Sequence, residues 1–300
     1  MILKPHDKPL DNLTVAIAGL GLMGGSLAMA LRGKVGRVVG IARRRETIEE
    51  ALAIGAIDSG HTTLAAGLPE ADVIVLATPV SVIMQQIDEV GRLAVQGILQ
   101  PGIVLTDMGS TKKVICDAMA TLPSSVEPVG SHPMCGKETS GLTVAEAGLY
   151  QNRPWVITSL DRTAPGVVPV VESLAKAVGA RPIHLDSQRH DRIVAAISHL
   201  PYTVSAALFA GVYEASQSDD RTLELAASGF RSSTRLAGSD ARMMSDILLT
   251  NRAAVLAQLE WFQAQLTQLQ TLIADGDGDA LQSALATIRD RRNAFLQDCG

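Results

Sequence analysis

The sequence predicts an α/β Rossmann-type N-terminal domain over residues 1–186, followed by an all-α C-terminal domain over 187–300. Three observations predict it. Short β-rich runs alternate with helix-length segments as far as about Asp186. A Gly-x-Gly-x-x-Gly string stands between the first such run and the first helix. No convincing strand follows Gln188. Alternating elements with unbroken apolar strands imply a parallel sheet covered by helices on both faces.

The strand runs are 14–18, 37–41, 73–77, 103–106 and 126–130, with two more at 155–159 and 182–185. Helical segments fall between them at 25–31, 46–54, 81–93, 112–122 and 165–178. In the second half, Val255, Leu259, Phe262, Leu266, Leu269 and Ile273 recur at steps of three and four, the stripe of an amphipathic helix. A Gly-Asp-Gly-Asp break at 276–279 precedes a final helix from about Ala280 to Leu296.

Composition narrows the function classes. At 47% hydrophobic residues the 300-residue chain can bury a sizeable core. A formal net charge of -5 argues against nucleic acid or an anionic membrane as partner, because both need a basic excess. Cys116, Cys135 and Cys299 are odd in number and form no Cys-x-x-Cys pair. A disulfide framework or a cysteine zinc site is therefore not expected, and a reducing cytoplasm is. The N-terminus lacks the apolar core of a signal peptide, and the longest apolar runs are strand-sized, so no membrane span is expected.

In the glycine string, Gly19 permits a tight turn, Gly21 lets a pyrophosphate approach the backbone, and Gly24 lets helix and strand pack closely. Leu22 and Met23 complete the loop, and the helix N-terminus faces the anion. A dinucleotide site follows. The next strand ends without a carboxylate and continues into Arg43, Arg44 and Arg45. Guanidinium forks suit a ribose 2′-phosphate, so NADP is expected before NAD, with Arg43 nearest the strand end. The alternative is a solvated basic turn. Thr78 and Pro79 end the 73–77 strand. They lie beneath the nicotinamide half of the cofactor or simply stop the strand.

Ser110 follows the strand at 103–106 and His132 follows that at 126–130, both at carboxyl ends where open parallel sheets bind ligands. A histidine there suits acid–base work, and Ser110 stands ready to orient it or a substrate oxygen. The helical half adds His199, Tyr202, Arg231 and Arg235. On one continuous helix the two arginines would share a face and could clamp carboxylates or merely be solvated. By itself His199 reads more readily as a core histidine. No metal-ligand cluster is seen.

Taken in order, Gly-Ser-His-Pro-Met-Cys-Gly at 130–136, Ser-His-Leu-Pro at 198–201 and Gly-Phe-Arg-Ser-Ser-Thr-Arg at 229–235 resemble the prephenate and arogenate dehydrogenase family over nearly the whole chain. The resemblance implies a helical dimerisation domain, hence a homodimer, and a site in the cleft between domains. It implies that His132 is the catalytic histidine, that Ser110 positions it and the substrate, and that Arg235 binds a substrate carboxylate. Two departures matter. Many prephenate-using relatives have histidine where this chain has Tyr202, and many have Asp at Ser232. Tyr202 and the arginine run together tilt the expectation to arogenate and NADP. Two rivals are weaker. A β-hydroxyacid dehydrogenase needs a catalytic lysine in its second domain, yet Lys176 is the last lysine. A non-catalytic nucleotide-binding protein leaves Ser110, His132 and Arg235 unexplained.

Overall fold

The computed structural model describes residues 7–137 and 139–298, and Cys299 lies outside them. The chain separates into two compact units, Met1–Arg252 and Ala253–Gly300. In the first, an eight-stranded sheet has the order β3-β2-β1-β4-β5-β6-β7-β8. Its strands are β1 (Thr14–Ala18), β2 (Arg37–Ile41), β3 (Ser59–His61), β4 (Val73–Leu76), β5 (Ile103–Asp107), β6 (Val126–Pro133), β7 (Pro154–Ser159) and β8 (Arg181–His184). The helices among them are α1 (Leu22–Leu31), α2 (Arg45–Ala53), α3 (Leu64–Gly67), α4 (Val80–Val95), α5 (Lys113–Ala120) and α6 (Val167–Ala177).

Alternate residues of a strand point to opposite faces. Val15 and Ile17 of β1, with Val73 and Val75 of β4, therefore pack with α1, α2 and α6. Ala16, Ala18, Ile74 and Leu76 pack with α3, α4 and α5 on the other face. Both faces being covered, β4 and β5 are buried along their whole length, which is why β4 is an unbroken apolar run and β5 is one as far as Leu105.

The expectation of a wholly parallel sheet needs correction. β6 and β7 run antiparallel, and β8 runs parallel to β7. A parallel return needs a crossover, usually a helix. Among its described residues the 134–153 connection holds only the 3₁₀ turn Leu142–Val144. That turn packs against α1, so the chain comes back alongside β6. β3 was not expected at all. It is a three-residue edge strand, Ser-Gly-His, with none of the β-branched residues that mark strands.

Beyond the sheet, α7 (Ser187–Val194), a π-helical segment (Ala195–His199) and α8 (Leu200–Ser216) form one continuous helical run. By length and composition alone this run could cross a membrane. That corrects the expectation that every apolar stretch is strand-sized, which rested on uninterrupted apolar runs. Short helices α9 (Arg221–Glu224) and α10 (Ser228–Ser233) and the longer α11 (Ala241–Thr250) complete the first unit.

The second unit comprises α12 (Arg252–Asp275) and α13 (Gly278–Asp298). Of the apolar stripe on α12, Val255 is buried, whereas Leu266 and Ile273 are exposed, and Trp261 beside it is 75% exposed.

Candidate active site

The glycine loop is assembled by contacts that leave no room for side chains. Gly19 has φ 106°, which only glycine adopts readily. A Cβ there would lie 2.5 Å from the Ala77 carbonyl oxygen and 2.7 Å from the Thr78 methyl group. Thr78 is thus against the loop, at the switch point between β1 and β4. A Cβ on Gly24 would sit 1.8 Å from the Gly19 carbonyl oxygen. Gly21, by contrast, faces open space. It caps α1 with no side-chain bond and no acidic residue in the first turn. Free N–H groups at a helix end, above a backbone that a pyrophosphate can reach, fit a dinucleotide.

The loop is held from behind. Leu22 is buried at the start of α1. The Tyr150 hydroxyl donates to the Met23 carbonyl at 2.5 Å, and the Ser26 hydroxyl accepts the Glu146 N–H at 2.9 Å. Pro79 caps α4, and the Thr78 hydroxyl donates to Gln86 at 2.8 Å. At the end of β2, Arg45 pairs with Glu49. Arg43 and Arg44 are exposed and make no hydrogen bond or ion pair among the described residues.

His132 lies near the end of β6, three strands from β1 in the sheet. Its Nδ1 lies 2.8 Å from Nε2 of His190 on α7, the rings meeting edge to face. The other nitrogen of His190, Nδ1, lies 2.7 Å from Oδ1 of Asp191. Asp191 in turn accepts the backbone N–H of Lys112 at 2.7 Å and of Lys113 at 2.9 Å, at the start of α5. Asn251 donates to the Asp191 carbonyl at 2.8 Å and lies 3.2 Å from Nδ1 of His199. The cluster therefore joins β6, α5, α7, the π-helical segment and the end of α11. A π-helical turn shifts the helix register locally, a device common at functional sites, and here it carries His199.

Beneath the cluster Lys112 and Asp107 form an ion pair, both fully buried. Asp107 also accepts the N–H of Gly109 at 2.8 Å and of Ser131 at 2.9 Å, which ties the β5 loop to β6. Desolvation, then the fields of His190, Lys112 and His199, push the proton affinity of His132 well below the usual histidine range. Burial lowers His199 to about 4 against the opposing pull of Asp191. Burial alone would raise the Asp191 carboxyl, but hydrogen bonds from His190, Lys112 and Lys113 outweigh it and hold it below the usual value. At neutral pH His132 is thus an uncharged base near an ionised carboxylate.

His190, Asp191, Asn251 and Lys112 were not among the residues the sequence singled out. The one available signal was the adjacent His-Asp pair at 190–191, which reads as the polar face of a surface helix. The expected residues fare unevenly. His199 joins the cluster and is buried. Ser110 is half-buried two residues before Lys112 and makes no hydrogen bond among the described residues, so the ring partner of His132 is His190. Tyr202 is half-buried in the first turn of α8. The single helical face expected for Arg231 and Arg235 is corrected. α10 ends at Ser233, and Arg235 opens a separate 3₁₀ turn. Ser232 and Thr234 bond back to the carbonyls of Gly229 and Phe230, and the Ser205 hydroxyl captures the Ala237 N–H. Such local bonds compete with a continuing helix. Both arginines are exposed.

Cys116 is buried and Cys135 half-buried, both as free thiols. Burial raises them to about 12 and about 11, so neither is a ready nucleophile.

Comparisons with known proteins agree along the chain. The family model described as prephenate dehydrogenase, nucleotide-binding domain, matches residues 27–184. That described as prephenate dehydrogenase, dimerization domain, matches residues 186–287. A prephenate dehydrogenase of Bacillus subtilis (strain 168) is 33% identical over 94% of this chain and 76% of its own length. Prephenate dehydrogenase from A. aeolicus, solved with hydroxyphenyl propionate and NAD+, superposes with TM-score 0.88 at 29% identity, covering 96% of this chain and all of that one. Synechocystis arogenate dehydrogenase gives TM-score 0.80 at 30% identity, over 94% of this chain and all of that one.

Proposed function

The chain belongs to the prephenate/arogenate dehydrogenase family, and from that premise we propose that it converts arogenate to tyrosine by oxidative decarboxylation, with NADP as hydride acceptor. Membership makes it a decarboxylating oxidoreductase that uses a pyridine nucleotide. The observation that carries the catalytic reading is His132, uncharged at neutral pH and, among the described residues, hydrogen-bonded through one nitrogen only, at the carboxyl edge of the sheet that bears the glycine loop.

The substrate is a non-aromatic cyclohexadienol with a ring carboxylate. When bound, the oxidised nicotinamide supplies the acceptor for the hydride leaving C4. His132 takes the C4 hydroxyl proton in that step. The ring carboxylate then leaves as carbon dioxide, and the electron pair it leaves behind makes the ring aromatic. Aromatisation drives the sequence, so the protein's task is orientation and one proton acceptor. Ser110 orients the C4 oxygen, Arg235 holds a substrate carboxylate, and Arg231, His199 and Tyr202 line the substrate side.

NADP is supported by the absence of a carboxylate at the end of β2 and by the uncommitted guanidiniums of Arg43 and Arg44. Gly19, Gly21, Leu22, Met23 and Gly24 receive the pyrophosphate, with Thr78 and Pro79 under the nicotinamide. Arogenate is supported by Tyr202 in place of the histidine of many prephenate-using relatives. The second reading, prephenate with NAD, is favoured by the A. aeolicus likeness, since that protein was solved with NAD+. A steady-state assay of prephenate and arogenate, each with NAD and NADP, separates the two. Turnover confined to arogenate with NADP is expected. Strong turnover with prephenate or NAD overturns the specificity reading and leaves the family in place.

We further propose a cytoplasmic homodimer, with residues 1–186 as the nucleotide domain and 187–300 as the substrate and dimerisation domain. The exposed apolar residues of the second unit, Trp261, Leu266, Ile273 and Phe295 among them, support it. Light scattering at micromolar concentration is expected to give twice 31.6 kDa, and a monomer mass rules the dimer out.

A further inference from the structure

We propose that His190 and Asp191 are positioning residues that fix His132 as the tautomer protonated on Nδ1 and basic on Nε2. Only the kinetic arm of this inference rests on the dehydrogenase reading.

The polarity of the chain follows from one group. An ionised carboxylate only accepts hydrogen bonds. Asp191 Oδ1 lies 2.7 Å from His190 Nδ1, so that nitrogen carries a proton and donates it. In the proposed arrangement that is the ring's one proton, and His190 presents a bare Nε2. That atom lies 2.8 Å from His132 Nδ1, so His132 donates from Nδ1. The lone pair of His132 is then left on Nε2, the nitrogen that no group among the described residues engages. Neither ring is free to turn over, because a flip of either one puts a ring carbon where a bonding nitrogen stood.

The far end of the chain is anchored. Asp191 accepts two backbone N–H groups at the start of α5, where the helix dipole favours a negative charge. Asn251 holds the Asp191 carbonyl from another element. His190 is fully buried and Asp191 nearly so, so water does not compete for these bonds. When Nε2 of His132 takes a proton, the imidazolium is stabilised by Asp191 through two hydrogen bonds, and no second proton need leave the protein. The arrangement is the acid–base logic of a carboxylate orienting a catalytic imidazole, with a second imidazole between them.

The test is a two-bond proton–nitrogen correlation spectrum of the ¹⁵N-histidine-labelled protein without substrate or cofactor, with His132→Asn assigning the resonance. The wild-type protein is expected to show His132 protonated on Nδ1. In His190→Ala it becomes a mixture of tautomers, and kcat falls about 100-fold or more while the cofactor KM stays within about twofold. His190→Gln leaves both backbone bonds of Asp191 untouched and offers an amide oxygen to His132, so it recovers about tenfold of that loss. Asp191→Asn moves the tautomer in the same direction as His190→Ala. Wild-type His132 protonated on Nε2, or a tautomer unchanged in His190→Ala, overturns the proposal. The expected spectra together with a wild-type protein inactive on both arogenate and prephenate would sustain this inference and sink the substrate reading.

Discussion

The glycine loop and the histidine cluster share the carboxyl edge of one sheet, yet they are built on opposite principles. The loop works by what its residues lack. Gly19 and Gly24 are crowded to the point where a single methyl group collides with backbone, and Gly21 faces open space. The cluster works by what its residues supply. Five elements bring His132, His190, Asp191, His199 and Asn251 within hydrogen-bond reach, and most of their polar atoms are spoken for. Pyrophosphate binding needs free donors and room, whereas proton transfer needs one lone pair held still. A mutation should therefore hurt the loop by adding atoms and the cluster by removing them.

The largest effect is expected at the cluster. His132→Asn should lower kcat by about 10²–10⁴-fold, the usual worth of a positioned base, while the nucleotide Kd measured by fluorescence stays within about twofold. Undiminished turnover removes His132 from catalysis and breaks the contrast. Next come two glycines that look alike in sequence. Gly24→Ala should destabilise the protein by about 3 kcal/mol or more, because backbone blocks the methyl group, and urea unfolding reads this directly. Gly21→Ala should change stability by under about 1 kcal/mol, since its φ of -88° suits alanine, yet weaken nucleotide binding by about tenfold or more. Equal stability losses for the two would refute the division of labour.

Smaller again, Arg43→Ala should raise the KM for NADP by about 10–100-fold, the value of a charged hydrogen bond of about 1.5–3 kcal/mol, with the KM for NAD nearly unchanged. A parallel change in both sets Arg43 aside as a solvated surface charge. The most gradual effect concerns pH. His132 and His199 hold protons more weakly folded than unfolded. The unfolded chain therefore binds more protons below about 6.5, and stability should fall as pH drops from there through about 4. The same sign applies to turnover, which needs His132 unprotonated. A midpoint flat between pH 7 and 4.5 counts against both histidines being buried as described.

The two regions also differ in how far they could be read before folding. β1, the glycine loop and α1 span eighteen consecutive positions, 14–31. The strand run, the glycine spacing and the helix start are neighbours in the chain, and their order alone implies the turn. Even there, the helix begins at Leu22 and not at Gly25, because close packing onto Ala77 and Leu142 overrides the poor helix propensity of Gly24 and Gly25. In the cluster, His132 was legible as a histidine at a strand end. Its partner lies 58 positions on, and the backbone that holds Asp191 lies 79 positions back from it. No periodicity spans such distances. The shared face that one continuous helix would give Arg231 and Arg235 fails for a related reason, since a bond from Ser205, 32 positions before Ala237, helps set the 3₁₀ turn that separates them.

The sequence by itself determined every described strand but β3, the glycine loop and the family, because each rests on side-chain character repeated or spaced over a short stretch of chain. The tertiary structure alone decided that β7 turns back against β6, that His190 stands behind His132, and that an aspartate at the foot of α5 orients them both. Those outcomes depend on which distant groups are left needing a hydrogen-bond partner once the sheet has formed. A buried donor or acceptor must find one wherever the fold brings it.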